Sequence, residues 1–372
     1  MDNPFVIAGK IKPEYFCDRK EESARLVRQV TNMANVVLMS PRRLGKTGLI
    51  DYCFDKPSLR QHYATIFVDI LRTSSLNEFT YLLGRAVFEA IGFRSQKMMK
   101  RVVSTLKSLS GSFGYDPVNN MPTFDVKLGD IANPEYTLEE IFSCIEQSER
   151  RCIIAIDEFQ QIVNYPEKHI EALLRTHIQR TSNANFIFSG SERHLMSEMF
   201  LDSARPFYNS ADIMALAPIA EDKYLAFVKH HFESSGRQVD NEAVSTIYHA
   251  VEGNTYYLQK VFHDIFAELS PNSTCTVDTV LDALQRLIAE SHHKYSEMLS
   301  RLSLPQKELL YAIATEHRAT QITSGNFIRK HHLKSASSVQ AATKKLLEHH
   351  FLSTENGAYY IDDQLMRLWL LQ

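Results

Sequence analysis

Three consecutive residues, Gly45, Lys46 and Thr47, have the side chains needed to bind a phosphate group and its metal ion. They follow a short apolar run, Val36 to Met39, and precede an amphipathic segment, so the sequence predicts a strand, a turn and a helix. In such a turn the backbone N–H groups and the N-terminus of the helix point at phosphate oxygens. Gly45 would let the backbone approach the phosphates, Lys46 would reach the β- and γ-phosphates, and Thr47 would hold Mg²⁺.

The residue that opens this turn departs from the usual phosphate-loop pattern. The pattern G-x-x-x-x-G-K-[ST] expects glycine at position 40, and this chain has Ser40. A serine carries a Cβ and therefore resists a positive φ angle. By itself the turn leaves two interpretations open: a nucleotide site, or a chance basic turn built on Arg42 and Arg43.

An acidic pair further along the chain favours the nucleotide site. The apolar run Ile153 to Ile156 ends in Asp157 and Glu158, which predicts a buried strand with two carboxylates at its C-terminal end. Ligands bind at that end of the strands in parallel sheets. There Asp157 can hold Mg²⁺ through water, and Glu158 can orient or deprotonate the attacking water. Together with the Gly-Lys-Thr turn, this ending predicts an ATP or GTP site.

Two later segments carry further candidate catalytic residues. Residues 185–191 predict a strand with a polar end, where Ser189 or Ser191 could touch the γ-phosphate or the water, as a sensor does. A plain strand-ending turn is the alternative. Arg205 could be an arginine finger that acts in cis or on a neighbouring subunit. A structural arginine is the other interpretation of that residue.

The elements that must position these residues alternate between strands and helices. Such alternation predicts an α/β fold with a parallel sheet and crossover helices. Asp18 is the expected N-cap of the first helix. The predicted strands cover residues 36–39, 65–70, 152–158, 185–191 and 213–216, and the predicted helices between them cover residues 76–92, 138–148 and 170–179.

Residues 93–136 interrupt this alternation. Residues 94–107 mix lysine and arginine with methionine and valine, which predicts a basic amphipathic helix. Residues 108–121 are rich in glycine, serine, proline and asparagine, which predicts a flexible loop. We expect an insertion at the edge of the core. Its basic face is either a solvated surface or a contact for a partner or nucleic acid.

Strand patterns stop at Pro218 and helical patterns follow. Helices predicted at residues 223–234, 241–251, 256–269 and 277–291 form a small bundle beside the core. Three more helices end in two alternating segments joined by Asn356-Gly357, a strong hairpin signal that completes a winged helix. Lys334, Lys344 and Lys345 lie on or next to its third helix, which would enter the major groove of DNA. A plain protein-contact module is the alternative.

Bulk composition limits the class of protein. The 372 residues are enough for two or three domains, and no apolar run approaches the roughly 20 residues that span a bilayer. The first residues lack the features of a signal peptide, and five cysteines without Cys-x-x-Cys spacing predict buried, reduced thiols in a cytoplasmic protein. The net charge of −3 argues against a globally basic nucleic-acid binder but leaves a local basic face open.

The order of these motifs resembles the archaeal-type ATPase family, a branch of the STAND/AAA+ P-loop ATPases close to the Orc1/Cdc6 initiators. The resemblance covers nearly the whole chain and includes Pro-Arg-Arg-x-Gly-Lys-Thr, Ile-Asp-Glu-Phe-Gln, Ser-Gly-Ser and Arg-Pro-Phe-Tyr. It implies a P-loop ATPase core at residues 1–216, a helical lid at residues 217–292 and a winged helix at residues 293–372. The family accepts a residue other than glycine at the place of Ser40.

The resemblance also implies roles for individual residues. Lys46 would bind the phosphates, Thr47 and Asp157 would hold Mg²⁺, and Glu158 would be the catalytic acidic residue. The lid segment Gly253-Asn254-Thr255 lacks the proline that such lids often carry, so no sensor residue is expected there. The segment around Phe16 and Arg19 would lie near the adenine, and the residues from Pro41 to Gly48 would form the loop. The expected nucleotide-binding residues are Phe16, Arg19, Pro41, Arg42, Arg43, Leu44, Gly45, Lys46, Thr47 and Gly48.

Three functions fit these expectations. The first is a slow ATPase that acts as a nucleotide-dependent switch and controls a partner through its lid and winged helix. The second is an ATP-licensed DNA-binding protein that resembles a replication initiator or helicase loader. The third is a protein-interaction scaffold that holds ADP permanently, although the intact pair Asp157 and Glu158 argues against a dead site. The expected partners are ATP or ADP with Mg²⁺, duplex DNA, and a protein partner or further copies of this chain, with no membrane.

Overall fold

The computed structural model describes residues 2–91, 113–116, 121–124 and 131–372. The chain divides into two compact units. One unit is Arg19–Ala217, and the other joins the N-terminal residues up to Asp18 to Pro218–Gln372. The expected division at residues 216 and 292 into core, lid and winged helix stays a prediction.

The Arg19–Ala217 unit is built on a five-stranded parallel sheet, as the strand–helix alternation predicts. The strand order is β2-β5-β6-β1-β7, and every neighbouring pair in the sheet is parallel. The carboxyl ends of β1, β5 and β6 therefore meet at one edge. The strands of this unit are β1 Val36–Met39, β2 Tyr63–Asp69, β3 Phe113–Asp116, β4 Met121–Phe124, β5 Arg151–Asp157, β6 Ala184–Gly190 and β7 Asp212–Ala215.

Helices connect these strands and cover the sheet. Residues of β1 and β6 are buried throughout, because the strands are central and their apolar side chains meet protein on both sides. A 3-10 helix, Phe159–Asn164, follows β5. The α-helices of this unit are α1 Lys20–Thr31, α2 Lys46–Phe54, α3 Pro57–Arg60, α4 Leu76–Ile91, α5 Pro134–Glu146, α6 Ile170–Arg180 and α7 Arg193–Leu201.

An aromatic cluster fixes the chain directly after β5. The ring of Phe159 lies 4.6 Å from that of Phe188 and 5.3 Å from that of Phe207, and all three side chains are fully buried. Such ring pairs add to the free energy gained by burying their apolar surface. Since Phe159 follows Glu158 in the chain, this cluster anchors the acidic pair at the end of the strand.

Two predictions for this unit need correction. Helix α1 begins at Lys20 and its N-cap is Arg19 in the left-handed region, with φ of 58°, so Asp18 does not cap the helix. Part of the expected loop at residues 108–121 is a strand, since β3 and β4 pair in antiparallel register. Phenylalanine, tyrosine and threonine favour strands, and here they outweigh the neighbouring turn-forming residues. The predicted basic helix at residues 94–107 lies outside the described residues.

The second unit is mostly helical and has one continuous core. That core includes Tyr257 and Phe262 of the predicted lid and Leu309, Leu346 and Leu365 of the predicted winged helix. Two helices of this unit, α12 and α16, were not predicted from the sequence. The helices are α8 Glu221–Ser234, α9 Asn241–Ala250, α10 Thr255–Glu268, α11 Val277–Glu290, α12 His292–Ser300, α13 Leu304–Glu316, α14 Gly325–Lys330, α15 Ala336–Glu348 and α16 Gln364–Leu370.

The winged-helix prediction is confirmed by a small three-stranded sheet. Its order is β10-β12-β11, and the last two strands form an antiparallel hairpin. Asn356 and Gly357 both have positive φ, 52° and 78°, as a type I′ turn requires. Two short strands also pair where none were predicted. The strands are β8 Gln238–Val239, β9 Thr274–Cys275, β10 Ala319–Thr320, β11 Ser353–Glu355 and β12 Ala358–Tyr360.

The cysteines are buried, as predicted from the sequence. All five cysteines are buried and free of disulfides. Burial raises the pKa of the Cys53 and Cys144 thiols to about 12, so both remain protonated and unreactive at neutral pH. In the described part of the chain no helix is both long and apolar enough to cross a membrane.

Candidate nucleotide-binding site

The turn after β1 accommodates Ser40 without strain. Ser40 is buried, its hydroxyl donates to the Pro41 carbonyl oxygen at 2.9 Å, and its φ is not positive. The left-handed residues of the turn are Arg43 and Gly45, with φ of 69° and 88°. A Cβ on Gly45 would meet no atom within 4 Å, so backbone conformation and not space favours glycine there. The departure at Ser40 therefore leaves the shape of the loop intact.

Lys46 lies along the inside of this loop. Its ammonium donates to the carbonyl oxygens of Ser40 and Pro41 at 3.1 and 3.3 Å and to the Ser40 hydroxyl at 3.3 Å. The residue is only 6% exposed. Burial lowers the pKa of Lys46, and the nearby carboxylates of Glu158 and Asp157 partly offset this effect. A buried cation whose hydrogen-bond partners among the described residues are neutral oxygens is well suited to receive an anionic ligand.

Thr47 and Asp157 connect the loop to the end of β5. The Thr47 hydroxyl donates to Asp157 Oδ2 at 2.7 Å, and Asp157 Oδ1 accepts the backbone N–H of Glu158 at 3.1 Å. Asp157 is buried at the carboxyl end of the strand. The two residues predicted to hold Mg²⁺ are thus brought together, and both offer the oxygen ligands that this ion prefers.

Glu158 stands at the same edge in an unusual backbone conformation. Its φ is 55°, in the left-handed region that few residues other than glycine adopt. Its Oε2 atom accepts hydrogen bonds from Gln160 Nε2 at 2.6 Å and from Ser191 Oγ at 2.5 Å. Ser191 Oγ in turn accepts from Nε of Arg42 in the loop at 3.4 Å. These contacts link the loop, β5 and the end of β6.

Ser189, the first candidate sensor, has a different environment. It is fully buried, and its hydroxyl has no hydrogen-bond partner within the described residues. Its place in the sheet is opposite Leu38 of β1. Of the two serines considered in the sequence, Ser191 is the one that contacts Glu158, whereas the sensor role of Ser189 stays a prediction.

Arg19 binds the backbone of the phosphate loop. Its side chain is buried, Nη2 donates to the Leu44 carbonyl oxygen at 3.2 Å, and Nη1 pairs with Glu22 at 2.8 Å. The contact of Arg19 with the loop backbone is observed, whereas its predicted contact with adenine stays a prediction. Phe16 belongs to the other unit, where its backbone N–H bonds to the Pro13 carbonyl oxygen at 3.3 Å.

Arg205 is held in ion pairs inside the core unit. Its guanidinium pairs with Glu171 at 2.6 Å and with Glu198 at 3.2 Å, and the arginine side chain is 23% exposed. Burial raises the pKa of the Glu171 carboxyl, and Arg205 partly offsets this effect. These contacts favour the structural role that the sequence left open, and the arginine-finger role stays a prediction.

Sequence reasoning missed Gln160 as a site residue. It lies two positions after Glu158, is 2% exposed, and donates to the glutamate. The sequence signal was the glutamine close to the acidic pair in Asp-Glu-Phe-Gln. If that amide is buried, it needs a hydrogen-bond partner, and the neighbouring carboxylate can provide one. The described residues include no group of three or more His, Cys, Asp or Glu side chains that could hold a metal ion.

Two family models match the chain. The model described as "ATPase domain predominantly from Archaea" matches residues 16–261, about two thirds of the sequence. The model described as "Probable winged helix domain" matches residues 293–372. No curated protein is significantly similar to this chain.

Solved structures with the same fold cover nearly the whole chain. A Walker-type ATPase of Pyrococcus abyssi superposes with a TM-score of 0.70 at 18% identity, over 99% of this chain and 100% of its own. The ORC2 protein of Aeropyrum pernix, solved with ADPNP and ADP, has a TM-score of 0.60 at 13% identity, with 99% and 97% covered.

The ORC1 protein of the same organism, solved with DNA, has a TM-score of 0.53 at 12% identity, with 99% and 96% covered. At such identities these likenesses show the fold. The family match extends over most of the chain and includes the loop, the acidic pair and Ser191. This chain belongs to the family of P-loop ATPase domains found predominantly in Archaea, and it carries a C-terminal winged helix.

Proposed function

We propose that this protein binds ATP with Mg²⁺, hydrolyses it slowly, and uses the bound nucleotide as a switch that controls a partner through its helical second unit. The observation that carries the proposal is the 2.7 Å hydrogen bond between Thr47 and Asp157, which joins the loop to the acidic strand end. A chance basic turn would have no reason to meet that carboxylate.

The phosphates would lie along the loop. Its backbone N–H groups, the N-terminus of α2 and the Lys46 ammonium supply positive charge, and Lys46 would exchange its carbonyl partners for phosphate oxygens. Thr47 and Asp157 would hold Mg²⁺ together with phosphate oxygens and water, and the ion would neutralise charge on the leaving phosphates. Glu158 would orient and deprotonate the water that attacks the γ-phosphate.

The switch is supported by the packing of the second unit. Residues of the predicted lid and of the predicted winged helix share one buried core, so a displacement of one part carries the other with it. The Tyr295 hydroxyl of α12 donates to Asp363, the N-cap of α16, at 3.1 Å, and Tyr257 of α10 donates to the same carboxylate. A nucleotide that displaced α10 would therefore displace the winged helix.

A nucleotide-binding experiment tests the first step. We expect Lys46→Ala to lose most of its ATP affinity, measured by titration with a fluorescent ATP analogue. Lys56→Ala is the matched control, because this lysine is in the same unit and pairs with the Ser23 hydroxyl at 2.9 Å. Unchanged ATP affinity in Lys46→Ala would refute the nucleotide site.

The alternative function, ATP-licensed DNA binding, is supported by the surface of the winged helix. A cleft of about 670 Å³ lies beside α15 and the hairpin turn, lined by Thr323, Gln340, Lys344 and Tyr359 among others. Residues 300–372 carry nine lysines and arginines against six acidic residues. One structural neighbour was solved with DNA. Binding to duplex DNA that weakens steeply with salt would support this function, since released counterions drive such binding.

The scaffold function predicts a different purified protein. It would carry ADP through purification and show no turnover with or without DNA. Release of the bound nucleotide by acid, followed by chromatography, distinguishes the two states. ATP turnover that requires Glu158 excludes the scaffold, and the molar mass in solution with ADP and with ATP tests whether further copies of this chain are the partner.

A further inference from the structure

The carboxylate of Glu158 is bound asymmetrically. Gln160 and Ser191 both donate to Oε2, at 2.6 and 2.5 Å, whereas Oε1 receives no hydrogen bond from the described part of the chain. A carboxylate fixed through one oxygen can rotate little, so the direction of the other oxygen is also fixed. This arrangement leaves one oxygen of Glu158 available to accept a proton.

Both donors are themselves held in place. Gln160 is 2% exposed and packs against Gly190, where an added Cβ would lie 2.6 Å from Gln160 Oε1. The glycine therefore makes the space that the amide occupies. The amide orientation is settled by its partner, since only the NH₂ group can donate to a carboxylate.

The hydroxyl of Ser191 has its direction set by Arg42. Nε of Arg42 donates to Ser191 Oγ at 3.4 Å, so the hydroxyl accepts on one side and its single hydrogen points to Glu158. Chains of this kind, from cation to hydroxyl to carboxylate, strengthen each bond by polarisation. Because Arg42 is part of the phosphate loop, the chain of hydrogen bonds that ends at Glu158 starts in that loop.

The backbone of Glu158 is fixed as well. Its N–H donates to Asp157 Oδ1 at 3.1 Å, and the next residue, Phe159, is anchored in the aromatic cluster. A positive φ at a glutamate costs free energy and persists only where neighbours impose it. Backbone and side chain together hold the carboxylate in one place.

We propose that Ser191 and Gln160 are positioning residues that hold Oε2 of Glu158 and so direct Oε1 at the attacking water. This proposal rests on the proposed ATP hydrolysis. In that step Oε1 takes a proton from the water, the water oxygen bonds to the γ-phosphorus, and the bond from that phosphorus to the bridging oxygen breaks. ADP leaves with the electron pair, and Glu158 returns its proton to solvent.

The proposal predicts a loss in kcat without a loss in binding. Ser191→Ala and Gln160→Met each remove one donor, and Gln160→Met keeps most of the side-chain volume in a buried place. We expect kcat to fall roughly ten- to hundredfold, because small misplacement of a reacting group costs this much. The KM for ATP and the affinity for a fluorescent ATP analogue should stay within about twofold. Ser191→Thr keeps the hydroxyl and should restore most of the rate.

The split between kcat and KM separates positioning from a general structural effect, because the proposal predicts a loss in kcat alone. Two controls match the changes. Ser182 also donates to a glutamate, Glu146, before β6, and Gln161 donates to the Thr73 carbonyl oxygen at 2.9 Å. Ser182→Ala and Gln161→Met should keep the wild-type kcat and KM.

Each outcome decides one claim. If Glu158→Gln abolishes hydrolysis while Ser191→Ala and Gln160→Met keep the wild-type kcat, the positioning role is wrong and the proposed function stands. If the wild-type protein binds no ATP or does not hydrolyse it, the proposed function fails and the positioning role fails with it. Thermal unfolding of each variant, at midpoints close to wild type, confirms that rate losses do not come from misfolded protein.

Discussion

The hydroxyl of Thr47 donates a 2.7 Å hydrogen bond to the carboxylate of Asp157, although 110 positions separate the two residues in the chain. The sheet order explains the contact. β5 and β1 are separated by β6 alone and run in the same direction, so the loop after β1 and the acidic end of β5 reach the same edge. Two motifs that the sequence shows only as separate patterns are therefore parts of one site.

This contact predicts how Mg²⁺ affects nucleotide binding. In the wild type, Mg²⁺ should strengthen ATP binding, because Thr47 and Asp157 would hold the ion beside the phosphates. In Thr47→Ala the strengthening by Mg²⁺ should fall by about tenfold or more, whereas Thr47→Ser should keep it. In EDTA, wild type and Thr47→Ala should bind ATP alike. A Thr47→Ala protein with the full Mg²⁺ effect would contradict this assignment.

The buried position of Lys46 predicts a dependence on pH. Its pKa is lowered from the usual 10.5, mainly by burial, and bound phosphate would raise it again by favouring the charged form. Above the lowered pKa, binding must therefore take up a proton. ATP affinity should be constant at lower pH and fall as pH rises through the lowered value.

Lys46→Arg provides the control for this pH effect, since arginine stays protonated throughout the range. Titrations with a fluorescent ATP analogue at a series of alkaline pH values should show the fall in ATP affinity in the wild type and not in Lys46→Arg. An equal fall in both proteins would assign the effect to another group.

The ion pair of Arg205 with Glu171 predicts a loss of stability. Arg205→Ala leaves the half-buried Glu171 carboxylate without its cation, and we expect the free energy of unfolding to fall by about 2 kcal/mol. Arg85→Ala, which breaks an exposed pair with Glu89, should change it little. Urea denaturation measures both. An Arg205→Ala protein of wild-type stability with greatly reduced kcat would instead support the arginine finger.

The lining of the winged-helix cleft predicts which lysine would contribute most to DNA binding. Lys344 is exposed and lines the cleft beside the hairpin, whereas the neighbouring Lys345 pairs with Glu348 at 2.7 Å and does not line it. Lys344→Ala should weaken duplex binding and lower the salt slope by about one, and Lys345→Ala should do so less. Fluorescence anisotropy at several salt concentrations tests this. Equal effects of the two changes would place the contact elsewhere.

Local patterns were sufficient to predict most of the fold. The apolar runs before Ser40 and Asp157 predict their strands, and Asn356-Gly357 predicts the hairpin, because each signal depends on neighbouring residues alone. The helix α12 was missed because its polar first residues, His292, His293 and Lys294, hide the helical spacing of Tyr295 and Leu299, both buried in the structure.

Contacts between distant segments could not be predicted in this way. The partner of Arg205 is Glu171, on another helix, and the support of Glu158 comes from Ser191, 33 positions away. Only the folded sheet brings these side chains together. Local patterns place Glu158 and Ser191 at or next to the ends of their strands, but they do not indicate which hydroxyl meets the glutamate.

The most direct test of the proposed function is ATP hydrolysis by the purified protein, with Glu158→Gln measured beside the wild type, in the presence and absence of duplex DNA. We expect slow turnover by the wild type and none by Glu158→Gln, with ATP affinity retained in both. Turnover that rises with DNA would favour the initiator-like function. Equal turnover in the two proteins, or none in either while ADP co-purifies, would contradict the catalytic role of Glu158.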